Sequence, residues 1–106
     1  MSILEFIKEN TLILDGGMGT LLQKEGLAPG ELPERWNLSH KDVIREIHLA
    51  YFCAGSHMVS TNTFGANCLK FGADELDAII AAAIANARRA AAESATEHPK
   101  WVALDI

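Results

Sequence analysis

Three short apolar runs in this chain each end in side chains able to bind a small polar molecule. Thr11-Leu-Ile-Leu14 ends at Asp15, followed by Gly16 and Gly17. His57-Met-Val-Ser60 ends at Thr61, Asn62 and Thr63, and Trp101-Val-Ala-Leu104 ends at Asp105. A carboxylate beside unblocked glycine N–H groups can hold an ammonium and a carboxylate together, which is the chemistry of amino-acid binding. Asp15 taken alone is equally suited to capping the helix after its turn, so the argument rests on convergence of all three run ends.

Convergence requires parallel strands. Buried parallel strands read as short apolar runs, and in open sheets and closed barrels alike ligands bind at their carboxyl ends. Between the runs lie helical patterns. Ser2 to Asn10 reads as a short helix with Ile3, Leu4 and Ile7 on one face, lying across the bottom of a sheet or barrel. Thr20 to Glu25 winds briefly, and Gly26, Pro29, Gly30 and Pro33 then enforce an irregular excursion to Asn37. Ser39-His-Lys-Asp42 reads as a capping box for a helix with Val43, Ile44, Ile47, Tyr51 and Ala54 at helical spacing, closed by Gly55. Gly65 to Lys70 is expected to turn into a short helix. Asp74 is expected to cap a long one, with Leu76, Ile79, Ile80, Ala83, Ile84 and Ala87 buried, and Pro99 to stop it. Alternating strand and helix gives an α/β fold with a parallel sheet, and both a doubly wound sheet and a (β/α)₈ barrel satisfy it.

Composition removes several classes. The chain has 106 residues and a formal net charge of -5 with its charges scattered, whereas nucleic-acid binders gather Lys and Arg on one face, so no nucleic-acid partner is expected. No run is long and apolar enough for a membrane helix, and no membrane partner is expected. Cys53 and Cys68 lack metal-ligand spacing and are expected as reduced thiols of a cytoplasmic protein. Gly16-Gly-Met-Gly19 does not meet the dinucleotide spacing. His57 is expected in the core or at the bottom edge, and His40 and His48 in solvent. A strand-like run ending at Ile106 leaves an edge to be covered, so the chain is expected to be the N-terminal part of a longer protein. An alternative is a non-catalytic module that completes its fold by docking with a partner or another copy.

Several segments carry a resemblance. Leu14-Asp-Gly-Gly-Met-Gly-Thr20, Glu34-Arg-Trp-Asn-Leu38, Ile47-His48 through Tyr51 to Ala54-Gly55, Thr61-Asn-Thr-Phe-Gly-Ala66, Ala87-Arg-Arg-Ala90 and Leu104-Asp-Ile106 follow one another in a familiar order. Together the chain resembles the homocysteine S-methyltransferase domain family, in the form found at the N-terminus of bacterial cobalamin-dependent methionine synthases. That resemblance implies a (β/α)₈ barrel of which residues 1–106 supply the first two and a half units, incomplete in this chain. It implies methyl transfer to the homocysteine thiol to make methionine, with zinc activating the sulfur as a thiolate. The form of Thr61 to Ala66 leans toward 5-methyltetrahydrofolate as donor through cobalamin, although S-methylmethionine and betaine users share the Asp-Gly-Gly start. By the same resemblance Asp15 holds the substrate ammonium, Gly16, Gly17 and Thr61 surround its carboxylate, Asn62 lines the pocket, and Asp105 is a further candidate. The family's zinc cysteines come from later strands, so no metal role passes to Cys53 or Cys68. The segment alone is then expected to be inactive.

Overall fold

The computed structural model describes residues 1–105. The parallel sheet forms, but it is short. Strands β1 (Met58–Ser60) and β2 (Trp101–Ala103) pair in parallel, with Met58 opposite Trp101 and Ser60 opposite Ala103. Thr11 to Leu14 joins the other side of β1 through a single parallel bridge, Leu14 to Met58, rather than as a full strand. The side chain of His57 explains the early stop. His57 and Met58 donate their N–H groups to Ile13 O at 2.7 and 3.3 Å, but the Ile13 N–H donates to His57 Nδ1 at 3.0 Å instead of a backbone carbonyl. The imidazole thus takes the place of the next ladder acceptor.

Helices make up most of the rest of the described chain. They are α1 (Ile3–Glu9), α2 (Gly19–Lys24), α3 (Trp36–Ser39), α4 (Lys41–Ala54) and α5 (Ala73–Glu93), with a 3₁₀ turn at Pro33–Arg35. Phe52 of α4, Val59 of β1, and Ala87 and Ala90 of α5 form one apolar cluster. The small alanines let α5 lie close against α4 and the sheet, and Arg45 ties the two helices by an ion pair to Glu93 at 2.6 Å. Leu22, Trp36, Ile44 and Ile47 form a second cluster, which seats the turn after Asp15 on α4. Gly55 ends α4 with φ of 117°, a conformation that glycine adopts without Cβ strain. None of the described helices is long and apolar enough to cross a membrane.

Several local expectations need correction. In α1 the buried residue is Phe6, while Leu4 and Ile7 are exposed, because Phe6 packs on His57 and Trp101 at ring distances of 4.8 and 5.4 Å. The irregular excursion stops at Leu32, since Pro33 supplies a fixed φ at the start of a helical turn. Ser39 is no cap: it ends α3, its hydroxyl donates back to Arg35 O at 3.3 Å, and His40 takes the N-cap position of α4. Gly72 rather than Asp74 caps α5, and residues 65 to 70 form turns with no helix of their own. His48, expected in solvent, is fully buried with neither ring nitrogen hydrogen-bonded. It lies one turn from both Ile44 and Phe52, so the inward stripe of α4 passes through His48 and Phe52 and misses the exposed Ala54. Ile106, from which the expectation of a continuing chain began, lies outside the described residues.

Candidate functional site

The strand ends open on a cavity of about 390 Å³, and Asp15, Gly16, Gly17, Thr61, Asn62 and Asp105 all line it. Residues from three separate parts of the sequence are therefore brought to one mouth. Met18, Pro33, Glu34, Ser60 and Phe64 complete much of the wall.

Asp15 is fixed by backbone on both sides. Its N–H donates to Met58 O at 3.0 Å, and its Oδ2 accepts from Ser60 N–H at 3.0 Å. Burial raises the Asp15 pKa above the ordinary carboxylate range, the Ser60 N–H opposes that rise, and the negative charge of Asp105 adds to it. Gly16 and Gly17 keep their N–H groups free of hydrogen bonds among the described residues, as the amino-acid reading requires. Tyr51 sets the position of their turn. Its hydroxyl donates to Gly17 O at 2.7 Å, and a Cβ at Gly16 would meet the Tyr51 hydroxyl oxygen at 3.0 Å. Glycine at position 16 is thus a matter of close approach.

The second strand end is locked more deeply. Thr61 and Thr63 share a hydrogen bond between hydroxyls at 2.7 Å, the Thr63 hydroxyl donates to Asp105 O, and Asp105 N–H donates to Thr61 Oγ1 at 3.2 Å. With Thr63 donating to the Asp105 carbonyl, the Thr61 hydroxyl donates to Thr63 Oγ1, so each group has its own partner. Thr63 is fully buried beneath the cavity and does not line it. Its work is to hold the ends of β1 and β2 together.

Asn62 is held from outside the sheet. Its Nδ2 donates to Pro33 O at 2.9 Å, while Asn37 Nδ2 donates to Asn62 O at 2.7 Å and to Glu34 O at 2.9 Å. Asn86 on α5 donates to Asn37 O at 3.1 Å, which anchors the assembly to the helical layer. Glu34, Tyr51 and Asn37 had no role in the sequence reading. Glu34, Trp36 and Asn37 were nonetheless legible as a motif, and Tyr51 as part of the α4 stripe; what the motif could not disclose was that it folds over the Thr61 to Gly65 loop.

The donor set does not make a metal centre. Among the described residues no group of three His, Cys, Asp or Glu side chains could hold an ion, and Cys53 and Cys68 are exposed free thiols.

Comparison with known proteins decides the family. The family model for homocysteine S-methyltransferase matches residues 12–106. The chain belongs to the homocysteine S-methyltransferase family. It is 34% identical over 111 aligned positions to methionine synthase from Mycobacterium leprae, covering 94% of this chain and 9% of that protein. It is 32% identical to homocysteine S-methyltransferase from Escherichia coli, covering 88% of this chain and 32% of that protein. The chain therefore spans less than a third of the length of either of these curated relatives. Among solved structures, the metallated form of homocysteine methyltransferase MmuM from Escherichia coli superposes with a TM-score of 0.79 at 23% identity, over 94% of this chain and 39% of that one. Its apo form superposes with a TM-score of 0.75 at 27% identity, over 98% and 38%. These likenesses support the α/β fold of the homocysteine S-methyltransferase segment over nearly its whole length.

Proposed function

We propose that this chain is the N-terminal, homocysteine-binding part of a (β/α)₈ methyltransferase that makes methionine, with the rest of the barrel supplied by further sequence. The observation that carries this is the cavity itself, whose lining brings together the held carboxylate of Asp15, the unengaged N–H groups of Gly16 and Gly17, and the buried Thr61 and Asn62. In this reading Asp15 accepts from the substrate ammonium. Gly16 and Gly17 N–H groups, with Thr61, receive the carboxylate, and Asn62 lines the path of the side chain. Asp105 adds negative charge that favours the ammonium and repels a second anion. The half-exposed Ile13, Leu14 and Leu104 are where neighbouring barrel units would pack.

Zinc, cobalamin and 5-methyltetrahydrofolate belong to the whole protein in this proposal. The described residues do not fit a zinc site, so what this chain contributes is binding and orientation. Its two exposed free thiols suit a cytoplasmic protein. The test is calorimetric titration of L-homocysteine into the full-length protein alongside Asp15→Asn, with methionine formation assayed for the 106-residue chain alone. Binding that needs Asp15, and no turnover by the short chain, are the expected results; methionine formed by the short chain would refute the division of labour.

A further inference from the structure

The turn that follows Asp15 hangs between two anchors. Up to Asp15 the neighbouring strand holds it: Ser56 Oγ donates to Leu14 O at 3.2 Å, Asp15 N–H donates to Met58 O, and Asp15 Oδ2 accepts from Ser60 N–H. From Met18 onward α2 holds it, since Leu22 N–H donates to Met18 O at 3.0 Å. Between these anchors lie Gly16 and Gly17. Among the described residues they make a single hydrogen bond, the one that Gly17 O accepts from the Tyr51 hydroxyl. Two consecutive glycines are the most freely rotating backbone a chain contains, and holding them in one conformation costs more entropy than holding any other pair.

Tyr51 is placed to supply that order. Its ring packs against both apolar clusters, the one around Leu22 and Trp36 and the one around Phe52 and Val59, so α4 presents the hydroxyl from a fixed direction. The ring tip also closes one side of Gly16, where a Cβ would meet the hydroxyl oxygen at 3.0 Å and Cε1 and Cζ at 3.5 Å. Burial does not force this bond. It lies in an exposed position where water could serve the hydroxyl equally, so it contributes order to the turn more than stability to the fold. Tyr51 is absent from the cavity wall, which it reaches only through the two glycines.

We propose that Tyr51 is a positioning residue for carboxylate recognition, its hydroxyl holding the Gly16–Gly17 segment in one conformation before a ligand arrives. This rests on reading the cavity as the homocysteine site. A cradle ordered in advance binds more tightly, because the entropy of the turn is lost on folding and not on binding. The benefit is confined to ligands that use the glycine N–H groups. Asp15 is held by β1 independently of Tyr51, so a ligand with an ammonium and a thiol but no carboxylate gains nothing from the hydroxyl.

The test uses the full-length protein and two probes, L-homocysteine and 3-amino-1-propanethiol, which keeps the ammonium and thiol and lacks the carboxylate. Both are measured by calorimetry on wild type and Tyr51→Phe, the aminothiol by how far an excess of it weakens the homocysteine titration. Phenylalanine keeps the ring in both clusters and removes the hydroxyl alone. The expected result is a loss of roughly three- to tenfold in homocysteine affinity, the scale of one neutral hydrogen bond, with aminothiol affinity unchanged. Equal losses for both probes would make Tyr51 a general support of the fold, and no loss for either would show that the turn holds itself; each overturns the proposal. Wild type that fails to bind homocysteine would instead overturn the reading of the cavity. Gly16→Ala gives a second reading that needs neither the aminothiol nor a change at Tyr51, because its methyl presses on the same hydroxyl. It is expected to weaken homocysteine binding by itself and to add less than about twofold once Tyr51→Phe has removed the hydroxyl, as contacting residues couple. Full additivity of the two losses would show that the glycines are not held through this contact.

Discussion

At the carboxyl ends of the strands the chain buries hydroxyls and amides in mutual hydrogen bonds and leaves carboxylate oxygens and glycine N–H groups over. At the amino ends it closes the same strands with rings. Phe6 lies against His57 and Trp101, and His57 meets His98 edge to face at 5.2 Å. The polar end draws its order from directional bonds with little apolar burial; the ring end draws its order from contact area. Substitutions should separate accordingly. Phe6→Ala is expected to cost about 4 kcal/mol of folding stability in the full-length protein, by denaturant titration, as for other buried aromatics cut to alanine. Homocysteine affinity should stay within about twofold, since distant sites act independently. A large affinity loss would show that the two ends are mechanically one.

His48, buried in the helical layer, has to be removed from the picture before either end can be titrated cleanly. Burial lowers its pKa to about 4. Its folded value is depressed, so the stability associated with it is whole above the ordinary imidazole pKa and is lost as pH falls toward about 4. The loss is roughly 3 kcal/mol at the acid limit. His48→Leu removes two ring nitrogens that have no partners, so it forfeits no hydrogen bond. The variant should match wild type at pH 7 and unfold at a higher denaturant concentration near pH 5. An unchanged acid transition would mean that His48 is reached by water.

The smaller mutational effect belongs to the polar end. Asp15→Asn keeps an oxygen for the Ser60 N–H and removes the charge, so stability should hold while homocysteine affinity falls by about 2 kcal/mol, or some 30-fold. A fall in stability with affinity intact would reverse the assignment of the two ends.

How much of this was legible in the sequence follows the same division. The three run ends were readable because a buried parallel strand is a continuous apolar run, and its first polar residue marks the mouth; Asp15, Thr61, Asn62 and Asp105 all come to the cavity. The helical layer was readable in part. Ile79, Ala83 and Ala87 are buried as their spacing predicts, but His48 was misassigned because a polar residue type was allowed to outweigh its position between Ile44 and Phe52. Ser39 failed as a cap because α3 ends on it, and a capping pattern does not reveal a helix immediately before it. The long-range clamp was illegible. Asn37 and Asn62 meet through backbone carbonyls, and a carbonyl leaves no signature in residue type.

In the His48→Leu background the two ends should titrate in opposite senses. At the ring end, His57 Nδ1 accepts from Ile13 N–H and can do so only while unprotonated. Burial and the facing His98 lower the His57 pKa, so its bond to Ile13 is secure above the ordinary imidazole value and is lost as pH falls through the lowered one. Hydrogen exchange at Ile13 N–H should accelerate there beyond the intrinsic pH dependence. At the polar end the Asp15 pKa is raised, so its contribution to folding is present below the ordinary carboxylate value and is lost as pH rises through the raised one. Ammonium binding needs the ionised form. Acidification through the raised Asp15 pKa should therefore weaken homocysteine binding while making the empty cavity more stable, whereas acidification at the ring end only loosens it. Affinity and local stability moving in the same direction at Asp15 would show that its burial is relieved in solution, and that the cavity is wetter than its walls imply.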